Sequence, residues 1–320
     1  MRGGDPDFVT MRRGGTTRRP DGLLSVPVTI RVVDASGAPV GAGVPVALSA
    51  TSGALQPATV RTRGGLARAT LVYVPGTHPF VTANADPAAG MLYVGPRPAG
   101  SSTERFFAAS AGRTAVAAAR GRTAQPAVSE DLVLRNPFDV PAVVRLRLYS
   151  SGGPTGVADQ QVVGVAVAPH GTVTERLGTL VAGYPLVGVD VQSDIPIVSS
   201  RAVGRLLAHG KTRAVGATHG VDALSAGYRL TLSAAHTTVD LFNQGTARVR
   251  VSVSVSLSGA LGSAPGKSIL TLAPGASARI DLGARIRTRR GTLVVTLNAD
   301  GPLVAEVDPV LSPAAVGSAA

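Results

Sequence analysis

The sequence predicts an all-β chain in which several antiparallel β-sandwich domains follow one another. The stretch RVRVSVSVSLSG at 248–259 alternates apolar and polar residues, and a period of two places each set on one face of a strand. Frequent Gly and Pro, 39 and 23 residues, together with abundant Val favour many short strands joined by turns. At roughly 100–150 residues per domain, a chain of 320 residues has room for two to four domains.

The composition narrows the classes of function. Aromatic residues are only 3% of the chain and Trp and Cys are absent, so the cores must consist of Val, Leu, Ala and Ile. Zero Cys excludes disulfides and thiolate metal sites. The net charge of +12 comes almost wholly from Arg and is scattered along the chain, which a GC-rich coding bias explains better than an anionic polymer. We therefore expect no nucleic-acid partner.

Residues 1–24 are polar and are expected to be a loose N-terminal segment, except for an edge strand at 8–11. They contain no apolar h-region of a signal peptide, and no stretch of the chain approaches the ~18 apolar residues of a membrane helix. We expect no membrane span. An extracellular location would then require that the chain is a fragment or has a misassigned start.

Residues 25–88 carry the signals of a first sandwich. The segment DASGAPV at 34–40 makes a hairpin turn, and GLARATL at 65–71 begins the next strand at a glycine. Another glycine, in the turn PGT at 75–77, permits a sharp corner before the last strand. This order of motifs resembles the invasin/intimin-type bacterial immunoglobulin-like domain over about residues 8–88. The resemblance implies an immunoglobulin-like β-sandwich.

Residues 89–102 are rich in Pro, Gly and Ala and are expected to form a linker. The Ala-rich stretch 108–120 is the one helical candidate, but Gly112 and the lack of an apolar stripe argue against a stable helix. The linker is expected to separate the first sandwich from the rest of the chain.

The second part of the chain repeats itself. Three landmarks recur in the same order. The first is a strand that ends in Asn, at 131–136 and 238–243, and the second is an Ala-Pro turn, at 167–171 and 272–275. The third is a turn in which Asp comes two residues before Pro, at 194–196 and 300–302. In each copy the Asn side chain is expected to bond its own backbone and turn the chain. We predict two sandwich repeats, 103–224 with a joining loop and 225–312, followed by a tail at 313–320.

The motifs of the first copy include Asn136-Pro137, the turn at 169–171 and Arg201-Ala202. They resemble tandem modules of uncharacterised secreted actinobacterial and Chloroflexi proteins. The resemblance implies β-sandwich surface modules with no assigned activity.

The alternating stretch 249–257 needs a partner for its valine face. We expect this face to pack on the other sheet of its own sandwich, against Leu270, Leu272, Val295 and Leu297. The opposite face is mostly serine and carries no acid or base.

Histidine and serine form no convincing site. No Ser lies in a Gly-x-Ser-x-Gly elbow, and His78 and His170 fall in predicted turns. His209 and His219, with Asp222 nearby, are the best metal candidate, but zinc generally needs three or four ligands at tighter spacing. We therefore predict no metal ion and no cofactor.

The charged residues likewise indicate no catalytic pair. Four glutamates lie in different segments, and nothing distinguishes two of them for glycoside hydrolysis: Glu104, Glu130, Glu175 and Glu306. Arg63 lies in a predicted turn, and the arginines at 287–290 fit an exposed strand edge better than a nucleic-acid groove. We predict no catalytic residue and no enzyme.

These observations predict a non-enzymatic extracellular or cell-surface protein, structural and adhesive, whose sandwiches act as a rigid spacer and interaction surface. Its partners would be other surface proteins or glycans that dock through loops or sheet edges. The alternative is a carbohydrate-binding accessory region of a larger secreted enzyme, which needs an aromatic platform that six Phe and five Tyr make difficult. An enzyme would require His209, His219 and an acid to converge in a pocket.

Overall fold

Strands dominate the computed structural model of the chain, and the described residues include one helical turn, at Leu177–Leu180. The prediction of an all-β chain of antiparallel β-sandwiches is confirmed. Within the described ranges, no helix is long and apolar enough to cross a membrane. The structure describes residues 4–34, 37–98, 103–110, 128–151, 159–181, 186–206, 212–233, 238–258, 268–282 and 292–307.

Nine strands build the first sandwich: β1 Phe8–Arg13, β2 Thr17–Arg18, β3 Leu24–Val33, β4 Pro45–Ala50, β5 Ala54–Gln56, β6 Thr59–Arg61, β7 Leu66–Tyr73, β8 Phe80–Ala85 and β9 Ala88–Tyr93. One sheet has the order β1-β3-β7-β5, with β2 beside β3, and the other has the order β6-β4-β8-β9. The alternation of β3 sends Val26, Val28, Ile30 and Val32 into the shared aliphatic core.

The ends of this sandwich differ from the expectation. The edge strand expected at 8–11 lies within β1, which extends to Arg13 and in which Phe8 and Val9 are buried. The expected linker 89–102 begins with most of β9, and Val94 belongs to the core. A Cβ on Gly90 would lie 2.6 Å from the carbonyl oxygen of Val9, so β1 and β9 approach too closely for larger residues. The small residues that suggested a linker serve this contact.

The predicted hairpin turn after β3 forms from the expected residues. Oδ1 of Asp34 accepts a hydrogen bond from the Ala38 N–H at 3.0 Å, and Gly37 has a φ of +81°. Gly65 has a φ of +73°, and a Cβ there would lie 2.7 Å from the Cβ of Pro39. Both positions require glycine because their backbone is left-handed.

Eight strands build the second sandwich: β10 Thr103–Ser110, β11 Val128–Arg135, β12 Ala142–Ser151, β13 Asp159–Val167, β14 Thr172–Arg176, β15 Leu186–Ser193, β16 Val198–Leu206 and β17 Thr212–His219. The two sheets have the orders β10-β15-β12-β13 and β14-β11-β16-β17, and they share one core. Residues 108–110 of the helical candidate therefore lie on a strand, while 111–120 lie outside the described residues.

Six strands build the third sandwich: β18 Ser225–Ser233, β19 Thr238–Phe242, β20 Val249–Ser258, β21 Ser268–Leu272, β22 Ser277–Asp281 and β23 Thr292–Val307. The long β23 pairs with β18 and β20 through its first half and with β19 through its second half. The resulting orders, β18-β23-β20-β21 and β22-β19-β23, correspond to β10-β15-β12-β13 and β14-β11-β16 of the second sandwich.

Asn136 and Asn243 occupy corresponding places in these two sandwiches. In both, Oδ1 accepts a hydrogen bond from the backbone N–H two residues later at 3.0 Å, which is the local bond expected. In both, Nδ2 also donates to three carbonyl oxygens at 2.7–3.2 Å. The acceptors are Val140, Val167 and Ala168 for Asn136, and Ala247, Leu272 and Ala273 for Asn243. Each Asn thus joins its own turn to the Ala-Pro turn.

The valine face of β20 points into a core as predicted, but the residues expected on the opposite sheet belong to the sheet of β20 itself. Leu270, Leu272, Val295 and Leu297 lie beside β20 on β21 and β23 of the same sheet. The opposite sheet supplies other side chains to this core: Val239, Leu241, Ile280, Leu303 and Ala305. Alternation fixes the face of a strand, whereas its neighbours depend on long-range pairing.

Candidate functional site at the domain junctions

The histidines of the predicted metal candidate do not form a site in the described part of the chain. His219 is exposed at the end of β17, and Asp222 is exposed and paired with an arginine of β10. His209 lies outside the described residues. His78 and His170 are exposed in a loop and a turn. Within the described ranges, no group of three His, Cys, Asp or Glu side chains could hold a metal ion.

Two glutamates, in contrast, come together. Glu130 and Glu306 lie on either side of Arg201, although they are far apart in the chain. The expectation that nothing distinguishes a pair of glutamates is therefore wrong. Glu104 and Glu175 lie elsewhere, on β10 and β14.

Arg201 is the centre of a buried ionic cluster, which comprises Arg201, Glu130, Glu306, Asp240 and Arg279. Its Nη1 lies 3.0 Å from Oε2 of Glu130, and its Nη2 lies 3.1 Å from Oε2 of Glu306. The side chains of these three residues are 0%, 1% and 6% exposed in that order. Glu130 and Arg201 belong to the second sandwich and Glu306 to the third, so the ionic cluster crosses the boundary between them.

The strand register explains how the ionic cluster assembles. Thr218 lies opposite Arg201 on β17, and Nε of Arg201 donates a hydrogen bond to its hydroxyl at 3.3 Å. Asp240 on β19 lies opposite both Glu306 on β23 and Arg279 on β22. Arg279 donates to both carboxylate oxygens of Asp240 at 2.6 Å. Bidentate geometry of this kind gives the stronger form of ion pair.

The ionic cluster has three carboxylates and two guanidinium groups, so negative charge is in excess. Burial raises the pKa of Glu306 to about 7, against the lowering effects of Arg201, the Ala108 N–H and the Thr218 hydroxyl. The charge of Glu130 raises this pKa further. Glu306 therefore takes up a proton near neutral pH.

Arg201, unlike Glu306, keeps its charge near neutral pH. Burial alone lowers the pKa of Arg201, but Glu130, Glu306 and Asp240 together raise it by more. The arginine therefore stays charged in the interior. Because its side chain is 0% exposed, the Arg201 guanidinium is closed off from solvent, whereas Arg279 at the edge of the ionic cluster is 16% exposed.

An aromatic contact accompanies the ionic cluster. The ring of Phe242 lies 5.2 Å from that of Tyr149, and together with Ala108 and Val304 they form a small separate apolar cluster. A Cβ on Gly188 would lie 2.1 Å from the Phe242 ring, so only glycine admits the ring. Phe242 belongs to the third sandwich and Gly188 to the second. The ring is thus seated on the outer face of the preceding sandwich.

The first and second sandwiches also meet through charged groups. The guanidinium of Arg147 stacks 4.9 Å from the ring centre of Phe8, an attractive cation–π arrangement. Arg97 forms an ion pair with Asp194. Burial raises the pKa of Asp194, while the Val143 N–H and Arg97 lower it.

Two adjoining cavities lie between the first and second sandwiches. The first, of about 490 Å³, extends to the loops at 244–246 and 274–275 of the third sandwich. The second, of about 460 Å³, runs along β9 and β13. Thr10, Arg31 and Arg145 line both cavities, so we treat them as one space, the junction cleft. Unlike the ionic cluster, the junction cleft is open to solvent.

A signal for the ionic cluster was present in the sequence. Aligning the Asp-x-Pro landmarks at 194–196 and 300–302 places Glu306 opposite Ser200, directly before the position of Arg201. Glu306 of the second copy and Arg201 of the first copy thus occupy adjacent aligned positions. A comparison of the two copies position by position would have brought the two residues together.

Fold and junctions together define an all-β protein in which buried charges join neighbouring sandwiches. A family model described as "Family of unknown function (DUF5719)" matches residues 119–313, more than half of the chain. The chain belongs to this family. The comparison with curated proteins gives no match.

Among solved structures, the chain is similar to the adhesin InvE of Yersinia pseudotuberculosis. The two are 14% identical, and the match covers 61% of this chain and 54% of the adhesin chain, with a TM-score of 0.19. The chain therefore spans about half the length of that adhesin. At this TM-score the likeness supports no inference, and the invasin/intimin resemblance of residues 8–88 stays a prediction.

Proposed function

We propose that the chain is a non-enzymatic structural segment of an extracellular or cell-surface protein, in which rigidly joined sandwiches act as a spacer that presents an interaction surface. The observation that carries the proposal is the bond of fully buried Arg201 to Glu130 in its own sandwich and to Glu306 in the next. A spacer must keep its length and direction under load, and a closed junction serves that purpose.

The ionic cluster opposes relative motion of the second and third sandwiches. Separation would break the contact of Arg201 with Glu306 and open the ionic cluster to water. It would also withdraw the Phe242 ring from its seat on Gly188. Domains of one chain normally move relative to each other unless their interface is large and apolar, so rigidity of this junction would depend on the ionic cluster and the seat of Phe242.

Division of the chain into sandwich units at 25–88, 103–224 and 225–312 is part of the proposal, with β1 and β9 added to the first unit. Three separate apolar cores support it. The corresponding places of Asn136 and Asn243 support the further proposal that the last two units are tandem repeats.

The alternative, a carbohydrate-binding accessory region, is less favoured. Sugar platforms need exposed aromatic rings, and among the described residues most aromatic side chains are buried. The buried rings are those of Phe8, Tyr73, Tyr93, Phe107, Tyr149 and Phe242.

Distance measurements between spin labels test the rigidity. The chain has no native Cys, so cysteine pairs can be introduced at exposed positions without background labelling. Ala58→Cys with Thr174→Cys spans the first junction, and Thr174→Cys with Thr271→Cys spans the second. We expect one narrow distance distribution for each pair, and broad distributions would contradict the spacer role.

A matched pair of glycine variants links rigidity to the second junction. Gly188→Val places a side chain where the Phe242 ring lies and should broaden the Thr174–Thr271 distribution. Gly164→Val, on β13 of the same sheet, meets nothing within 4 Å and should leave the distance distribution narrow.

The surface location is tested by protease treatment of intact cells of the source organism. Protection of the chain, alongside a cytosolic control, would refute a surface location.

A further inference from the structure

The junction cleft is lined by arginines because of the period-two pattern of two strands. On β12 the sequence Arg-Leu-Arg-Leu sends Leu146 and Leu148 into the core, so Arg145 and Arg147 face outward. On β3 the same alternation places Arg31 on the outer face of the first sandwich. These outer faces form the two walls of the junction cleft.

The charge in the junction cleft is strongly positive. Arg12, Arg31 and Arg145 line the second cavity, and the carboxylate that lines it, Asp194, is paired with Arg97 outside the lining. Among the described residues, the lining of the first cavity includes no carboxylate. Like charges held in a concave space with low-dielectric walls raise the local positive potential and attract anions.

The arginines in the walls are held in place by their neighbours. Arg145 donates a hydrogen bond to the side-chain oxygen of Gln192. Arg147 stacks on Phe8, donates to the Tyr149 hydroxyl at 3.4 Å and faces Asp7 and Asp190. Burial raises the pKa of Asp7, while Arg147 lowers it. Arg147 thus faces protein acids, while Arg31 and Arg145 line both cavities of the junction cleft.

We propose that the junction cleft binds an extended ligand that carries carboxylate or phosphate groups, such as a segment of an acidic polymer. A guanidinium group matches the paired oxygens of these anions, and the cleft offers several guanidinium groups along one line. The neutral polar groups Thr10, Gln244 and Thr246 in the same lining suit the hydroxyl groups of such a chain. This site goes beyond the spacer role and does not depend on it.

Binding to the intact chain is measured by calorimetry with three probes of similar length. Oligogalacturonate supplies carboxylates, polyphosphate supplies phosphates, and dextran is the neutral control. We expect a polyanion to bind at low salt and more weakly at high salt, because ions screen the attraction, while dextran does not bind. The tighter of the two polyanions identifies the anionic group.

Variants decide whether the polyanion sits in the junction cleft. Arg31→Gln and Arg145→Gln should each weaken binding about tenfold or more, since each removes a charge-assisted contact. Arg145→Lys, which keeps the charge but loses the fork, should weaken it less. Arg229→Gln removes one exposed charge on β18, outside the lining of the junction cleft, and should change affinity less than about twofold.

Two results would overturn the proposal. One is the failure of both polyanions to bind the unaltered chain at low salt. The other is equal weakening by Arg229→Gln and Arg145→Gln, which would indicate attraction to net charge alone. Circular dichroism and thermal unfolding of each variant establish that it is folded. The spin-label distances are measured separately, so loss of this proposal leaves the spacer role intact.

Discussion

Replacing Glu306 by glutamine should make the protein more stable at high pH, even though the carboxylate lies 3.1 Å from a guanidinium nitrogen. Glutamine has nearly the same size and shape as glutamate but cannot ionise. It removes the charge that is in excess in the ionic cluster. The change therefore separates the cost of burying a carboxylate from the gain of pairing it.

The magnitude follows from the pKa of Glu306, which burial raises from 4.5 to about 7. At about 1.4 kcal/mol per unit, the change corresponds to about 3 kcal/mol. Because the pKa is higher in the folded chain, the folded state binds the proton more tightly. The stabilisation is complete below pH 4.5 and is lost as the pH rises through 7.

Glu306→Gln should therefore match the unaltered protein below pH 4.5 and exceed its stability above pH 7 by up to about 3 kcal/mol. Urea unfolding across this pH range, followed by far-ultraviolet circular dichroism, measures the difference. Glu175→Gln on β14, outside the ionic cluster, is the matched control. A Glu306→Gln variant that is less stable at high pH would refute the reasoning, because Arg201 would then compensate the carboxylate fully.

Three further outcomes are expected. Arg201→Met should lower the free energy of urea unfolding by about 3–5 kcal/mol, because it leaves buried carboxylates without their cation. Adding Glu130→Gln and Glu306→Gln should recover most of this loss. Failure to recover it would contradict the role of Arg201 as the cation of the ionic cluster. Asn136→Ala and Asn243→Ala should each cost about 4 kcal/mol, since each removes four hydrogen bonds of about 1 kcal/mol. Clearly unequal losses would argue that the two residues do not have corresponding roles. Phe242→Ala should lower the free energy of unfolding by about 3–5 kcal/mol and broaden the spin-label distance distribution across the second junction. A distribution of unchanged width would show that another contact holds the second junction.

Local patterns in the sequence were sufficient for the strands and several turns. The alternation of 249–257 predicted β20 and its core face, and Asp34 and Gly37 form the turn their chemistry predicts. The short-range bond of Asn136 was also predictable, because it spans only two residues. These features depend on residues close together in the chain, where spacing determines geometry.

The junctions could not be predicted in the same way. Glu130 and Arg201 are 71 positions apart, and Arg201 and Glu306 belong to different sandwiches. Their meeting depends on how one sheet is placed against another, which alternation does not specify. The same limit explains why the expected partners of the β20 valines were assigned to the opposite sheet, although they lie beside β20 in its own sheet.

The five residues of β19 are all buried, and this has an evolutionary consequence. Val239 and Leu241 pack in the core of their own unit, whereas Phe242 packs against Ala108 and Tyr149 of the preceding one. A gene rearrangement that deleted or moved one unit alone would expose Asp240 and the ring of Phe242 to water. We therefore expect the two units to be inherited and exchanged as an indivisible pair, unlike modules that recombine freely.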